Sequence, residues 1–139
     1  MDPRVSLVTL AVEEVEGASA FYRNVFGWKA AFQNEQVAFF QLNGVVLSLY
    51  RRDLLARDLA VPEEALGPGG CEPGYNVRER SEVDQVLAAA ERAGGSVVVP
   101  AHEAEWGGYS GHFADPDGHR WEVAWNPRWT ISEDGNTRL

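Results

Sequence analysis

Length, composition and charge restrict this chain before any pattern is considered. Its 139 residues, 45% of them hydrophobic, predict one globular domain with a buried core. The 12 basic residues face 21 acidic ones, a net charge of −9, which argues against nucleic-acid and anionic membrane partners because both require clustered Lys and Arg. Cys71 is the only cysteine and no apolar run is long enough to span a bilayer, so we expect a cytoplasmic protein without disulfides.

The first half of the chain combines one helical pattern with several strand patterns. Apolar residues recur at spacings of three and four after residue 14 and predict a helix that ends at Gly27. Asn43–Gly44 predicts a tight hairpin turn, because both residue types tolerate positive φ. The predicted strands cover residues 5–12, 28–32, 36–42 and 45–50.

The second half repeats this order after a segment of different character. Residues 51–71 predict a short helix over 53–59 and then a linker rich in Pro and Gly. A helix is predicted to begin at Ser81, with Asp84 in the capping-box position, and to end at Gly94–Gly95. A turn is predicted at 115–118 and an extended polar tail at 126–139. The predicted strands cover residues 72–77, 96–99, 109–114 and 119–125.

The repeated order β-α-β-β-β indicates an internal duplication. We therefore predict an α+β fold within a single domain over residues 1–139. It consists of a module over 5–50, a linker over 51–71, a module over 72–125 and the tail. Neither module could bury its sheet face alone, so the two tandem βαβββ modules are expected to pair into an incomplete barrel around a shared pocket.

The repeat can be aligned on itself to locate equivalent positions. Val12 aligns with Val77 at the two helix entries, and Gly44 aligns with Gly118 at the two turns. In the last strand, alternation predicts that Trp121 and Val123 face the helix, whereas Glu122 faces the pocket. The equivalent pocket positions on the first and last strand of the two modules are Leu7, Ser48, Glu72 and Glu122.

Two segments carry a resemblance to a known family. Residues 10–28, from Leu-Ala-Val-Glu-Glu to Val-Phe-Gly-Trp, resemble the start of a vicinal-oxygen-chelate module. Residues 106–127, which contain Asp-Pro-Asp-Gly-His-Arg-Trp-Glu, resemble the closing hairpin of the same superfamily. That superfamily includes glyoxalases, bleomycin-resistance proteins and extradiol dioxygenases, and the resemblance is greatest to its small bacterial glyoxalase-like members.

The resemblance implies that the four aligned positions are those where active relatives hold a divalent metal with His, Gln or Glu. Here Leu7 cannot ligate and Ser48 is a poor neutral ligand, whereas Glu122 matches the pattern well. We therefore expect no cofactor and no tightly bound metal. A weakly bound hard cation held by Glu72 and Glu122 remains an open alternative.

The remaining site predictions concern the pocket. Glu122 is the predicted catalytic base, and a structural ion pair with Arg120 is its alternative. His102, His112 and His119 share no motif spacing and are expected to be solvated or structural. The predicted pocket residues are Thr9, Ser48, Tyr50, Glu72, Asn76, Trp106, Tyr109 and Arg120.

Function is left mainly between two classes of protein, and a structural or partner-docking module, whose pocket would be filled by its own side chains, is the third interpretation. The first is an enzyme, a metal-independent lyase or isomerase that binds a small, partly apolar or aromatic molecule. The second is a protein that sequesters a toxic compound or antibiotic without chemistry. A metal-dependent lyase or dioxygenase fits the aligned positions less well. Many small relatives are symmetric dimers, so the resemblance implies a homodimer.

Overall fold

The computed structural model describes residues 7–67, 72–133 and 135–138, and its first half forms one four-stranded sheet with a helix. The sheet order is β1-β4-β3-β2, with β1 parallel to β4 and the other pairs antiparallel. The elements of this half are β1 (Leu7–Val12), α1 (Val15–Phe26), β2 (Phe32–Gln33), β3 (Val37–Gln41) and β4 (Val46–Arg51).

The second half repeats that sheet in the order β5-β8-β7-β6. The connecting segment contains α2 (Arg52–Leu59) and a short 3₁₀ helix (Glu63–Leu66), and the tail contains the strand pair β9 (Thr130–Ile131) and β10 (Thr137–Arg138). The two four-stranded sheets are not closed into one barrel, and the α+β fold of two βαβββ modules is confirmed. The other elements of the second half are β5 (Gly74–Asn76), α3 (Arg80–Arg92), β6 (Ser96–Glu103), β7 (Tyr109–Ala114) and β8 (Arg120–Trp125).

Glycines and carboxylates set the helix ends. Gly27 ends α1 in the left-handed region at φ 71°, as predicted. The capping box of α3 was predicted at Ser81 and Asp84, and this was wrong. Glu79 and Glu82 form it instead, because their longer side chains reach the backbone N–H groups of the first turn.

Three strand boundaries differ from the sequence prediction. Residues 28–31 are not a strand, because the Trp28 ring stacks on Phe26 with centroids 4.4 Å apart and turns the chain into the core. β5 begins at Gly74 and not at residue 72. β6 continues through Pro100 to Glu103 with two irregularities in register, which an edge strand tolerates.

The core lies where α1 and α3 pack against each other and against the inner faces of the sheets. Phe21 of α1 contacts Phe113 of β7 across the two halves, with ring centroids 6.1 Å apart. In β8, Trp121 and Val123 are buried in this core. The alternation predicted for β8 is therefore confirmed, and it leaves Glu122 on the opposite face.

Buried hydrogen bonds also join the halves. The Tyr22 hydroxyl donates to Asp115 Oδ2 at 2.6 Å and accepts from the Trp121 indole N–H at 3.2 Å. His119 Nε2 donates to the Ala11 carbonyl oxygen at 2.6 Å. His119 therefore has a structural role, and the turn at 115–118 fixes the second half onto the first.

Helix α2 covers the outer face of the first sheet. It contacts β1 and β4, and its Asp58 accepts a hydrogen bond of 2.9 Å from the Tyr50 hydroxyl on that face. Ser48 lies on the same face and is only 2% exposed. No helix among residues 126–133 and 135–138 covers the outer face of the second sheet, because the chain makes a turn after β8. Across the described residues, no helix combines the length and apolar character needed to cross a membrane.

Candidate functional site

A cleft of about 310 Å³ lies on the outer face of the second sheet. This volume is at the lower end for small-molecule sites and suits a ligand of one or two rings. The cleft is lined by Asn76, Trp106, Glu122, Ala124, Asn126, Arg128 and Trp129.

The floor of the cleft is formed by β5 and β8. Their parallel register pairs Gly74 with Glu122 and Asn76 with Ala124, so Glu122 and Asn76 point to the same face. Glu122 is half-buried, and within the described part of the chain its carboxylate has no hydrogen-bond or ion-pair partner. The floor therefore presents a carboxylate and an amide that are both free to bind a ligand.

The first wall is the indole of Trp106, which a tight turn holds in place. Gly107 donates to the Ala104 carbonyl and Ala104 donates to the Gly108 carbonyl, each at 2.9 Å, and Gly107 has φ 93°. A Cβ atom on Gly108 would lie 1.7 Å from Trp106 Cζ3, so the indole rests directly on the Gly108 backbone. This packing orients a side chain that is 41% exposed.

The second wall, Trp129, comes from the tail and was not among the predicted pocket residues. Asn126 Oδ1 accepts from the Arg128 backbone N–H at 3.0 Å, and the Trp129 backbone N–H donates to the Asn126 carbonyl oxygen at 3.2 Å. This turn brings Arg128 and Trp129 to the cleft. The Asn-Pro pair at 126–127 was the available sequence signal for a turn at this point.

His112 and Glu72 lie beside the cleft floor. Antiparallel pairing places His112 directly opposite Glu122, so their side chains share a face. His112 Nε2 is 3.3 Å from Glu72 Oε1, whereas the buried Nδ1 atom has no partner within the described residues. Glu72 thus lies on the sheet face that was predicted to line the pocket. His112, which was expected to be solvated or structural, lies on the same face.

The other predicted pocket residues lie elsewhere. Thr9 and Ser48 pair with each other in the first sheet, on the face that α2 covers. Tyr109 was predicted to line the pocket, but its hydroxyl donates to Asp84 of α3 at 3.2 Å, since its position in β7 faces the helix. Arg120 is exposed, and no ion pair among the described side chains joins it to Glu122.

The aligned positions do not fit a metal ion. The strand registers pair Thr9 with Ser48 and Gly74 with Glu122, which agrees with the alignment of the repeat. Leu7 is 47% exposed and offers no donor atom, and Ser48 is enclosed in the other half. Among the described residues, no group of three His, Cys, Asp or Glu side chains could hold a metal.

Two further cavities lie between the halves. One of about 430 Å³ reaches from Trp28 and Tyr75 to the tail, and Arg78 is the only charged residue in its described lining. The other, of about 190 Å³, is lined mainly by aliphatic side chains around Trp121. Of these three cavities, the cleft at Glu122 is therefore the one that combines a carboxylate with aromatic walls.

The chain belongs to the Glyoxalase/Bleomycin resistance protein/Dioxygenase superfamily, whose family model matches residues 4–123. This match confirms the resemblance inferred from the two segments. A glyoxalase-related enzyme from Fulvimarina pelagi has a similar structure, with a TM-score of 0.94, 36% identity and 99% of each chain covered.

Two other proteins show more distant similarity to this chain. The metallothiol transferase FosB of Lysinibacillus sphaericus is 25% identical over 119 residues, which are 85% of this chain and 79% of FosB. A lactoylglutathione lyase from Agrobacterium tumefaciens is 24% identical with a TM-score of 0.73, over 95% of this chain and 100% of the lyase. This last similarity supports the fold alone.

Proposed function

We propose that the chain binds a small, partly aromatic molecule in the cleft of its second half. We further propose that Glu122 acts there as the acid–base group of a metal-independent isomerase or lyase. The observation that carries this proposal is the unpartnered carboxylate on a floor between two tryptophan walls. A general base must be able to reach the proton of a bound molecule, and the position of Glu122 on the cleft floor supports this role.

The proposed chemistry is a proton transfer within one ligand. Glu122 takes a proton from a hydroxyl-bearing carbon next to a carbonyl group and returns it to the former carbonyl carbon. The hydroxyl proton passes to the former carbonyl oxygen, so the isomerisation is balanced without any co-reactant. The Asn76 amide lies on the same face and can donate a hydrogen bond to the ligand oxygen as negative charge develops. A positioned base of this kind contributes about 10²- to 10⁴-fold in rate.

Sequestration without chemistry is the second candidate function. It is favoured by the first-half positions Leu7 and Ser48, which supply no metal ligands, while the aromatic walls suited to binding are present. The metallothiol transferase reaction named for FosB is not proposed for this chain, because the described residues of this chain do not provide a set of side chains that fits a metal.

Replacing Glu122 distinguishes the two candidates. The wild-type chain and Glu122→Gln are incubated with a bacterial metabolite extract, and bound compounds are identified by native mass spectrometry. Each bound compound is then incubated with protein in D₂O. We expect the wild type to incorporate deuterium into the ligand or to convert it, whereas Glu122→Gln binds the same compound and leaves it unchanged.

Glu91→Gln is the matched control, since it removes the same charge from the exposed surface of α3. It should behave as wild type. A ligand that binds but keeps its mass with the wild-type protein would establish sequestration and reject the catalytic role. Failure of any compound to bind would reject the cleft as a site.

We also propose a cytoplasmic homodimer. Phe32 of the edge strand β2 is 52% exposed and its ring lies 6.1 Å from that of Phe39, which leaves an apolar area at the edge of the first sheet. Light scattering after size exclusion should give twice the monomer mass of 15.3 kDa. A mass of one chain at micromolar concentration would contradict the dimer.

A further inference from the structure

We infer that the cleft selects aromatic molecules that carry a basic group, and that an acidic group in the same molecule strengthens their binding. Aromatic amino acids and related amine-bearing aromatic acids are the ligand class that meets this description. The inference rests on the binding part of the proposed function and adds the charge of the ligand to it.

The basic group is required by Glu122. A ligand that fills the cleft removes water from this half-buried carboxylate, and no described residue forms an ion pair or hydrogen bond with it. A ligand group that covers Glu122 without offering a hydrogen-bond donor would leave the carboxylate desolvated and unpaired, which is strongly unfavourable. An ammonium group on the ligand supplies a charge-assisted hydrogen bond at that point. The net charge of −9 also favours the approach of cations.

The acidic group is matched to Arg128. Its backbone N–H is held by Asn126, and its side chain lines the cleft without an ion pair among the described residues. Arg128 is exposed, so its pairing with a ligand carboxylate is screened by water and contributes less than the pairing at Glu122. The two charges therefore make unequal contributions.

The aromatic part of the ligand is matched to the walls. Trp106 and Trp129 are both about two-fifths exposed although they line a cavity, which leaves their faces open for stacking. The backbone of Gly108 supports the first indole, and the turn at Asn126 positions the second. Both walls thus face the cleft before any ligand is bound.

Four probes that share a phenyl ring separate these contributions: 2-phenylethylamine, L-phenylalanine, 3-phenylpropanoate and 2-phenylethanol. Binding is measured from the ¹H–¹⁵N shifts of the Trp106 and Trp129 indole N–H groups, assigned with Trp→Phe variants. We expect 2-phenylethylamine to bind about tenfold or more tightly than 2-phenylethanol or 3-phenylpropanoate. L-Phenylalanine should exceed 2-phenylethylamine by about two- to fivefold.

Two variants assign each effect to its residue. Glu122→Gln should abolish the preference for 2-phenylethylamine over 2-phenylethanol. Arg128→Gln should remove only the advantage of L-phenylalanine over 2-phenylethylamine. The charge-matched controls Glu91→Gln and Arg92→Gln, both on the exposed side of α3, should leave all four affinities unchanged.

The outcomes separate this inference from the proposed function. If 2-phenylethanol or 3-phenylpropanoate binds as tightly as 2-phenylethylamine, the charge selection is rejected while aromatic binding stands. The probes are titrated to about 10 mM, a concentration at which binding in the millimolar range is detected. If none of the four probes shifts the two indole signals, aromatic binding in the cleft is rejected as well.

Discussion

Tyr22 makes two of the buried side-chain hydrogen bonds that join the halves. Its hydroxyl donates to Asp115 and accepts from Trp121. Tyr22→Phe leaves the buried Asp115 Oδ2 atom without this donor, so we expect a loss of about 1–3 kcal/mol in the free energy of unfolding by urea. Tyr75→Phe is the control, since the Tyr75 hydroxyl has no partner among the described residues and should cost little.

The same residue predicts a dependence on alkaline pH. Burial, followed by the charge of Asp115, raises the pKa of Tyr22 well above its usual value of 10.0. Because the folded pKa is higher than the unfolded one, the folded state retains the proton, and this contribution to stability is lost as pH rises above about 10. The urea midpoint should therefore fall more steeply between pH 9.5 and 11 in wild type than in Tyr22→Phe. Equal slopes would contradict this assignment.

Single residues also show what the sequence could and could not predict about the site. Glu122 was predicted because the alternation in β8 and the repeat alignment both place it on the outer face. His112 was missed, because counting pairs outward from a turn at 115–118 places it opposite Trp121, whereas the backbone hydrogen bond from Asp115 to His119 sets the register that places it opposite Glu122. Its contact with Glu72 depends on how the residues before β5 cross the sheet, and the local sequence pattern carries no information on that path.

At the scale of elements, the loop before β7 determines the first wall of the cleft. In Gly108→Ala, the new Cβ would meet the Trp106 ring at 1.7 Å and the Trp125 carbonyl oxygen at 2.6 Å. The indole must move, so we expect the affinity for 2-phenylethylamine to fall about tenfold by the indole N–H titration.

Gly95→Ala controls for a general loss of stability. Its Cβ would lie 2.6 Å from the Ala114 carbonyl oxygen and 3.0 Å from the Phe21 ring, where α3 leads into β6. This variant should lower the unfolding midpoint and leave the affinity of the folded protein unchanged. A tenfold loss of affinity in Gly95→Ala as well would remove the link between Gly108 and the Trp106 wall.

Most elements could be predicted because local signals determine them. Apolar periodicity defined both long helices, Gly27 marked the end of α1, and Asn43–Gly44 marked the turn between β3 and β4. The position of the tail could not be predicted, since it depends on a long-range contact. Arg78 donates to the Ser132 carbonyl oxygen at 2.7 Å, 54 residues along the chain, and a polar tail pattern does not encode this contact.

At the scale of the whole molecule, the turn at 115–118 joins the second half to the first. Asp117 Oδ1 accepts from the Glu13 backbone N–H at 2.9 Å, at the junction of β1 and α1. Burial raises the pKa of Asp117 above its usual 3.8, against the lowering by the Glu13 N–H. The contribution of Asp117 to stability is thus present below about pH 3.8 and is lost as pH rises through its folded pKa.

Asp117→Asn keeps the acceptor oxygen and removes the charge. We expect this variant to be at least as stable as wild type at pH 7, with the difference shrinking as pH falls toward 3, measured by urea midpoints. Asp117→Ala removes the acceptor and should be less stable than wild type by about 1 kcal/mol. An Asp117→Ala protein with the same urea midpoint as wild type would show that the hydrogen bond from Glu13 to Asp117 contributes little to stability.

The two halves differ most in the segment that the chain forms after the last strand of each sheet. After β4 this segment is α2, which lies across the first sheet, whereas after β8 it is the turn that carries Arg128 and Trp129. In terms of the repeat, the second wall has no counterpart in the segment after β4 and lies outside the duplicated unit. Substitutions in this terminal segment can therefore change the cleft while the duplicated scaffold and its buried contacts stay the same.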